Sequence, residues 1–263
     1  PMKQFRLVLS SGAALCALAA SSALAQSYTI KLGGIYIDPR ATSSSLKGTL
    51  PVYQGAYLGN INVNGGTRLE VQPKGTVMFS VERVLNDRWS AELVLGVPPE
   101  HDVKLRAPNP ELSAFSAEAG TPLGNAKVAG TTQKLQRNSG EVVATVKQAA
   151  PTLFFNYQLA EPGAALRPFI GVGINYTRFK ATSNDVGNKL YSDGKVRIDL
   201  TDSYGLAFQT GVSYRIDRNW SINAGWATAA VKNKLTIRTD HSEQKAIYRF
   251  HPSAFSMSVG YTF

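Results

Sequence analysis

The stretch Phe255-Ser256-Met257-Ser258-Val259-Gly260-Tyr261-Thr262-Phe263 places an apolar residue at every second position, with Ser, Ser, Gly and Thr between them. Successive side chains of a β-strand point to opposite faces, so this stretch predicts one oily face and one small polar face. The alternation recurs seven times upstream. Ile30, Leu32 and Tyr36 alternate with Thr29, Lys31 and Gly33; Val77, Phe79 and Val81 with Thr76, Ser80 and Glu82; Trp89, Ala91, Leu93 and Leu95 with Ser90 and Glu92. Leu153, Phe155 and Tyr157 alternate with Asn156 and Gln158, and Ile170, Val172, Ile174 and Tyr176 with Gly171, Gly173 and Asn175. Leu206, Phe208, Val212 and Tyr214 alternate with Gly205, Gln209 and Ser213, and Trp220, Ile222, Ala224 and Trp226 with Ser221, Asn223 and Gly225. Eight strands are predicted.

Their connections alternate between short and long. Asn86-Asp87-Arg88, Ala160-Glu161-Pro162-Gly163 and Asp217-Arg218-Asn219 are turn-forming runs. The others, roughly 38–73, 99–149, 181–196 and 239–252, read as long polar loops. All short turns therefore lie at one end of the sheet and all long loops at the other.

The composition of the two faces identifies the solvent. The polar face is built from Gly, Ser, Thr, Asn and Gln, too small and polar for the packed core of a soluble barrel. The oily face carries Trp, Tyr and Phe near strand ends. A membrane barrel bonds every backbone group between strands and turns its apolar face to lipid. The fold class expected is an all-β, eight-stranded antiparallel transmembrane barrel with long extracellular loops and short periplasmic turns.

Composition removes most competing classes. The 263 residues carry 28 Lys and Arg against 18 Asp and Glu, a net charge of +10, with three His and one Cys. One cysteine excludes a disulfide framework and any cysteine-rich zinc site. No metal or cofactor is expected. The basic residues are dispersed through the loops, which suits the phosphates of lipopolysaccharide rather than a nucleic acid.

Residues 1–25 read as a signal peptide: a basic start (Lys3, Arg6), an apolar stretch over Leu7–Leu18 and an Ala23-Leu24-Ala25 box. Residues 26–263 are then the barrel domain, exported to the outer membrane of a Gram-negative bacterium. Tyr261 and Phe263 form an aromatic C-terminal pattern of the kind that barrel-assembly machinery reads.

Several stretches resemble the OmpW family of eight-stranded outer-membrane barrels, which includes AlkL-type importers. They are Gly96-Val97-Pro98-Pro99-Glu100-His101-Asp102, Pro151-Thr152-Leu153, Arg167-Pro168-Phe169-Ile170-Gly171-Val172-Gly173, Asp202-Ser203-Tyr204-Gly205, Gly211-Val212-Ser213-Tyr214 and Asn219-Trp220-Ser221-Ile222-Asn223. The segment 99–149 is longer than the family norm, and Tyr204 stands where the family often has Trp. The resemblance implies passive uptake of small hydrophobic molecules, entering among the loops and leaving sideways through the wall.

An eight-stranded barrel has room for side chains or one small ligand, not for a porin channel. Met78, Val94, Phe154 and Phe169 count as inward apolar positions and are candidate lumen residues. Val94 and, by analogy with the family, Tyr204 are candidates for a constriction, although parity from Phe208 puts Tyr204 on the lipid side unless a bulge near Asp202 turns it inward. Pro98-Pro99 donate no ladder hydrogen bonds, so they either break the wall or end the strand; they are the candidate lateral exit. Lys31, Glu82 and Glu92 point inward and should pair with one another. His251-Pro252-Ser253 and His101-Asp102 lack a nucleophile arrangement, so no enzyme is expected. The alternative function is a structural or adhesive barrel that presents its loops.

Overall fold

The computed structural model describes residues 27–263, so the predicted signal peptide lies outside the described residues. In chain order the elements are β1 (Tyr28–Asp38), β2 (Ala41–Ser43), β3 (Lys47–Gln54), β4 (Ala56–Gly65), β5 (Arg68–Val71), β6 (Lys74–Val84), β7 (Trp89–Gly96), β8 (Glu100–Arg106) and β9 (Glu111–Ser113). Then follow α1 (Pro122–Arg137), β10 (Val142–Ala149), β11 (Thr152–Gln158), β12 (Leu166–Ser183), α2 (Asp185–Tyr191), β13 (Arg197–Leu200) and β14 (Ser203–Arg215). The chain closes with β15 (Trp220–Ala229), β16 (Val231–Arg238), β17 (Glu243–Phe250) and β18 (Ser253–Thr262).

Strands β1, β6, β7, β11, β12, β14, β15 and β18 pair antiparallel in that order, and β18 returns to β1 through Ile30↔Tyr261 and Leu32↔Val259. This is the closed barrel that the alternation predicts. Leu206, 78 % exposed, Ile174 and Met257 stand on the outside, whereas Ser80, Asn156 and Thr177 are buried inside. A contiguous apolar band of this kind is out of place in water and suits lipid. Aromatic pairs bracket it. Trp89 meets Tyr157 and Trp220 meets Tyr261 at the short-turn end, with centroids 5.1 and 4.9 Å apart; Tyr176 meets Tyr204 at 4.8 Å toward the other end.

The four long connections differ from the polar loops expected of them. They form strands. Beyond Thr177, β12 continues and pairs with β10, which pairs with β8 and β8 with β5. Facing this extension stands a second sheet ordered β13-β16-β17-β3-β4-β9. Leu50, Ile61, Val63, Leu135, Leu235 and Ile237 are buried between the two, each buried aliphatic side chain contributing roughly 1.5–3 kcal/mol. In this half of the molecule the oily face points inward. Within the segment 99–149, α1 is capped by the Thr121 side chain, which accepts the Gly124 N–H, with Pro122 in its first turn.

Candidate functional site

The barrel interior changes character along its axis. Near its middle Lys31 lies 2.7 Å from Glu82 and 2.9 Å from Glu92. Two carboxylates face one ammonium, and neutral donors carry the excess charge. Ser80 donates to Glu92 Oε1 at 2.7 Å, Asn156 and Gln209 donate to Oε2 at 3.0 and 3.1 Å, and Ser90 donates to Glu82. Gln209 also donates to Asn156 Oδ1 at 2.7 Å. Gly171 makes room for this crossbar, since a Cβ there would lie 2.1 Å from Asn156 Oδ1. The expected pairing of the inward charges is present, and its extent makes it a plug across the lumen.

Toward the long-connection end the lining turns apolar. A cavity of about 50 Å³ touches Ile35, Met78, Val94, Phe154 and Phe169 as well as Lys31, Glu92 and Gln209 of the plug, and a second of about 120 Å³ shares Ile35, Met78, Val94 and Phe154 and adds Ile37 and Ala207. Phe169 sits against the plug, with the Lys31 ammonium 5.8 Å from its ring centroid. Two more apolar cavities of about 40 Å³ each continue into the second half of the molecule. Gln148 borders both the 120 Å³ cavity and the nearer of these, and Leu69, Ala144 and Ile198 border both smaller ones.

The structure thus brings Met78, Val94 and Phe154 together around both cavities, with Phe169 at the smaller one beside the plug. Ile35 lines both and Ile37 the larger; the count that puts Tyr36 outside puts them inside. Tyr204 is a correction to the candidate constriction. The β12–β14 register runs unbroken through Tyr176↔Tyr204 to Thr177↔Ser203, so no bulge turns it, and Tyr204 is 77 % exposed on the outer face.

Pro98-Pro99 sit where the wall is incomplete. β7 pairs with β11 up to Val94↔Thr152, and β8 pairs with β10 from Glu100↔Lys147. The Gln148 N–H donates to the Pro99 carbonyl at 3.2 Å. Between these points, among the described residues, residues 95–98 and 149–151 face each other without a backbone bond across the wall. On its other side β7 stays paired to β6, through the Val97 N–H to the Val77 carbonyl at 3.0 Å. Pro99, Gly96 and Ala150 at this gap all border the 120 Å³ cavity. Pro151, a third residue without an N–H, lies on the facing segment of the gap, where extending the Val94↔Thr152 register puts it opposite Leu95.

Asp193 clasps the far end of the molecule. Its buried carboxylate accepts from the Tyr53 hydroxyl at 2.6 Å, the Thr239 hydroxyl at 2.7 Å, and the His241 backbone N–H and Nδ1 at 2.8 and 2.6 Å. Burial works to raise this carboxyl's pKa, but the hydrogen bonds outweigh it and hold the group well below the usual carboxylate range. The same contact with Asp193 pushes Tyr53 up to about 12. Tyr57 stacks on the His241 ring at 4.3 Å. His101 is fully buried, with Nδ1 2.8 Å from the Gln72 carbonyl, so it ties β8 to the segment before β6. No group of three or more His, Cys, Asp or Glu suited to a metal occurs among the described residues.

A closed eight-stranded barrel with an apolar belt, short turns at one end and a plugged lumen defines an outer-membrane barrel protein. Residues 58–263 match the OmpW family model, and the chain belongs to the OmpW family. It is 33 % identical over 128 residues to outer membrane protein W of Escherichia coli K12, a match covering 48 % of this chain and 58 % of that protein. The chain therefore spans little more than half the length of these relatives. PahQ of Pseudomonas aeruginosa, described as a dibenzothiophene metabolism operon protein, is 26 % identical over 79 % of this chain and 80 % of its own length. OprG of Pseudomonas aeruginosa superposes with a TM-score of 0.67 at 22 % identity, covering 91 % of this chain and 96 % of that one. AlkL, solved in lipid bilayers, gives 0.53 at 16 %, covering 93 % and 94 %. These structures share the fold. The protein is an outer-membrane protein of the Gram-negative type, and its long-connection end is the extracellular one.

Proposed function

We propose that the protein admits small hydrophobic molecules through the outer membrane passively, entering from the extracellular domain and leaving sideways through the wall beside Pro98, Pro99 and Pro151. One observation carries this reading: the apolar cavity ends on a saturated polar plug but borders an unpaired stretch of wall. An apolar solute gains nothing by crossing the plug, where it would break buried charged hydrogen bonds. The wall gap opens to lipid at no such cost. Dibenzothiophene, from the description of PahQ, is a flat apolar molecule of the class such a route would take.

Other partners follow from placement. Outward-facing Tyr261 and Phe263, whose rings meet at 4.8 Å, are offered to the assembly machinery, and exposed lysines and arginines of the extracellular domain to lipopolysaccharide phosphates.

The test is uptake of an apolar dye into proteoliposomes. Val94→Asp puts a carboxylate in the cavity at a desolvation cost of several kcal/mol, so uptake should fall at least about tenfold while the barrel stays heat-modifiable on gels. Wild-type uptake no faster than in empty liposomes would sink the transport reading and leave a barrel that presents its extracellular domain.

A further inference from the structure

Below the plug lies a cavity of a different kind. It has a volume of about 290 Å³, sits at the periplasmic end, and is bordered by Lys31, Arg167, Arg215 and Arg218 but by only two carboxylates, Glu82 and Asp217. Both carboxylates are already committed. Glu82 holds Lys31. Asp217 Oδ1 accepts the backbone N–H groups of Asn219 and Trp220 at 2.8 and 2.7 Å and shapes the turn. Arg167, Arg215 and Arg218 form no ion pair among the described residues.

The register gathers their neighbours. Arg167 lies opposite Ser213, Ser213 opposite Asn223, and Arg215 opposite Ser221, so guanidinium groups, hydroxyls and amides form adjacent rows on the inner wall. The Arg167 guanidinium is fixed by one bond, Nη2 to the Asp87 carbonyl at 3.0 Å. Its Nε is buried without a partner, and so are Asn223 Oδ1 and Gln158 Oε1, which border the same cavity. Three guanidinium groups thus border one cavity in which both carboxylates are committed elsewhere, and Arg matches a tetrahedral oxyanion through paired N–H donors.

We infer that this periplasmic vestibule binds a phosphate group, with Arg167 and Arg215 as principal donors and Arg218 at the rim. Phosphate oxygens accept from Arg167 Nε and from the Arg215 guanidinium. A protonated phosphate oxygen donates to Asn223 Oδ1 or Gln158 Oε1. Two sources offer this chemistry: inorganic phosphate in the periplasm, and headgroups of the inner leaflet that reaches the same rim. The site is independent of the uptake route above the plug.

The test titrates the full barrel in phosphate-free alkyl maltoside micelles and reads the arginine Nε–Hε resonances by NMR. One arm adds inorganic phosphate, a second adds phosphatidylglycerol, and a third adds sodium chloride as a control. A saturable shift of the Arg167 resonance is expected in the first arm, the second or both, which assigns the source. Binding should weaken by about tenfold or more in R167Q and in R215Q, as for loss of a charge-assisted pair, and survive in R215K. Arg215 is exposed at the rim, so R215Q keeps the test valid should R167Q fail to fold. No saturable shift in either phosphate arm, an equal response to chloride, or unchanged binding in R215Q would overturn the assignment.

Discussion

The membrane-spanning barrel and the extracellular domain use one sequence rule with opposite results. Both alternate polar and apolar residues at period two. In the barrel, Leu206 faces out and Gln209 and Ser80 face in; in the extracellular sheets, Leu235 and Ile237 face in while Lys234 and Arg238 face out. The strands do not differ in kind. The surrounding solvent decides which face turns toward it. The barrel keeps its inside together with a charged hydrogen-bond network, and the extracellular domain with aliphatic packing. The 120 Å³ cavity lies where these interiors meet, so an apolar solute in the extracellular core meets the plug and turns aside.

Removing the barrel's central cation should have the largest effect on stability. Lys31→Met leaves Glu82 and Glu92 buried without their cation, which costs about 3–5 kcal/mol. A fall in the urea midpoint of barrel unfolding in micelles is the expected result, and an unchanged midpoint would mean that the donors alone hold the carboxylates. Next comes the extracellular core. Ile61→Ala, at a fully buried position, should cost about 2–5 kcal/mol, read as faster amide exchange in the extracellular sheets while the barrel strands keep their protection. Leu206→Ala, which changes only contact with lipid, should leave both halves as they are. Equal losses from the two changes would dissolve the contrast between the regions.

The smallest effect belongs to the clasp. Asp193 has a depressed pKa, so its contribution is present above the ordinary value of 3.8 and is lost as pH falls well below it. Tyr53 has a raised pKa, so its contribution is complete below pH 10 and is lost as pH climbs toward about 12. Proteolysis of the extracellular domain should therefore quicken at both extremes and stay slow between them, and Asp193→Asn should lose the plateau. A flat pH profile in the wild type would remove the clasp from the account.

The eight strands, their outward faces and the inward positions of Met78, Val94, Phe154 and Phe169 were legible in the sequence because alternation fixes parity once the solvent is known. Parity alone placed Tyr204 correctly, and analogy with the family pulled it to the wrong face. The extracellular domain was missed for a physical reason. Its strands are short or charged on one face, as in Gln244-Lys245-Ala246-Ile247-Tyr248-Arg249, and such runs read as polar loops when lipid is the assumed solvent. The same alternation in 231–238 and 243–250 would have disclosed them on the opposite assumption. The wall gap was half visible. Pro98-Pro99 stood out, but the gap between their segment and residues 149–151 depends on pairing between segments some fifty residues apart, which no local pattern encodes.

The lateral exit is tested most directly by locking the wall. Gly96 and Ala150 border the gap from its two sides, and extending the Val94↔Thr152 register brings them opposite each other. The double variant Gly96→Cys, Ala150→Cys can be oxidised, and the chain's own cysteine, Cys16, lies within the predicted signal peptide. Uptake of an apolar dye into proteoliposomes should fall to the empty-liposome rate when the pair is oxidised and return when it is reduced. Wild-type uptake through a fully oxidised, folded barrel would contradict the lateral route.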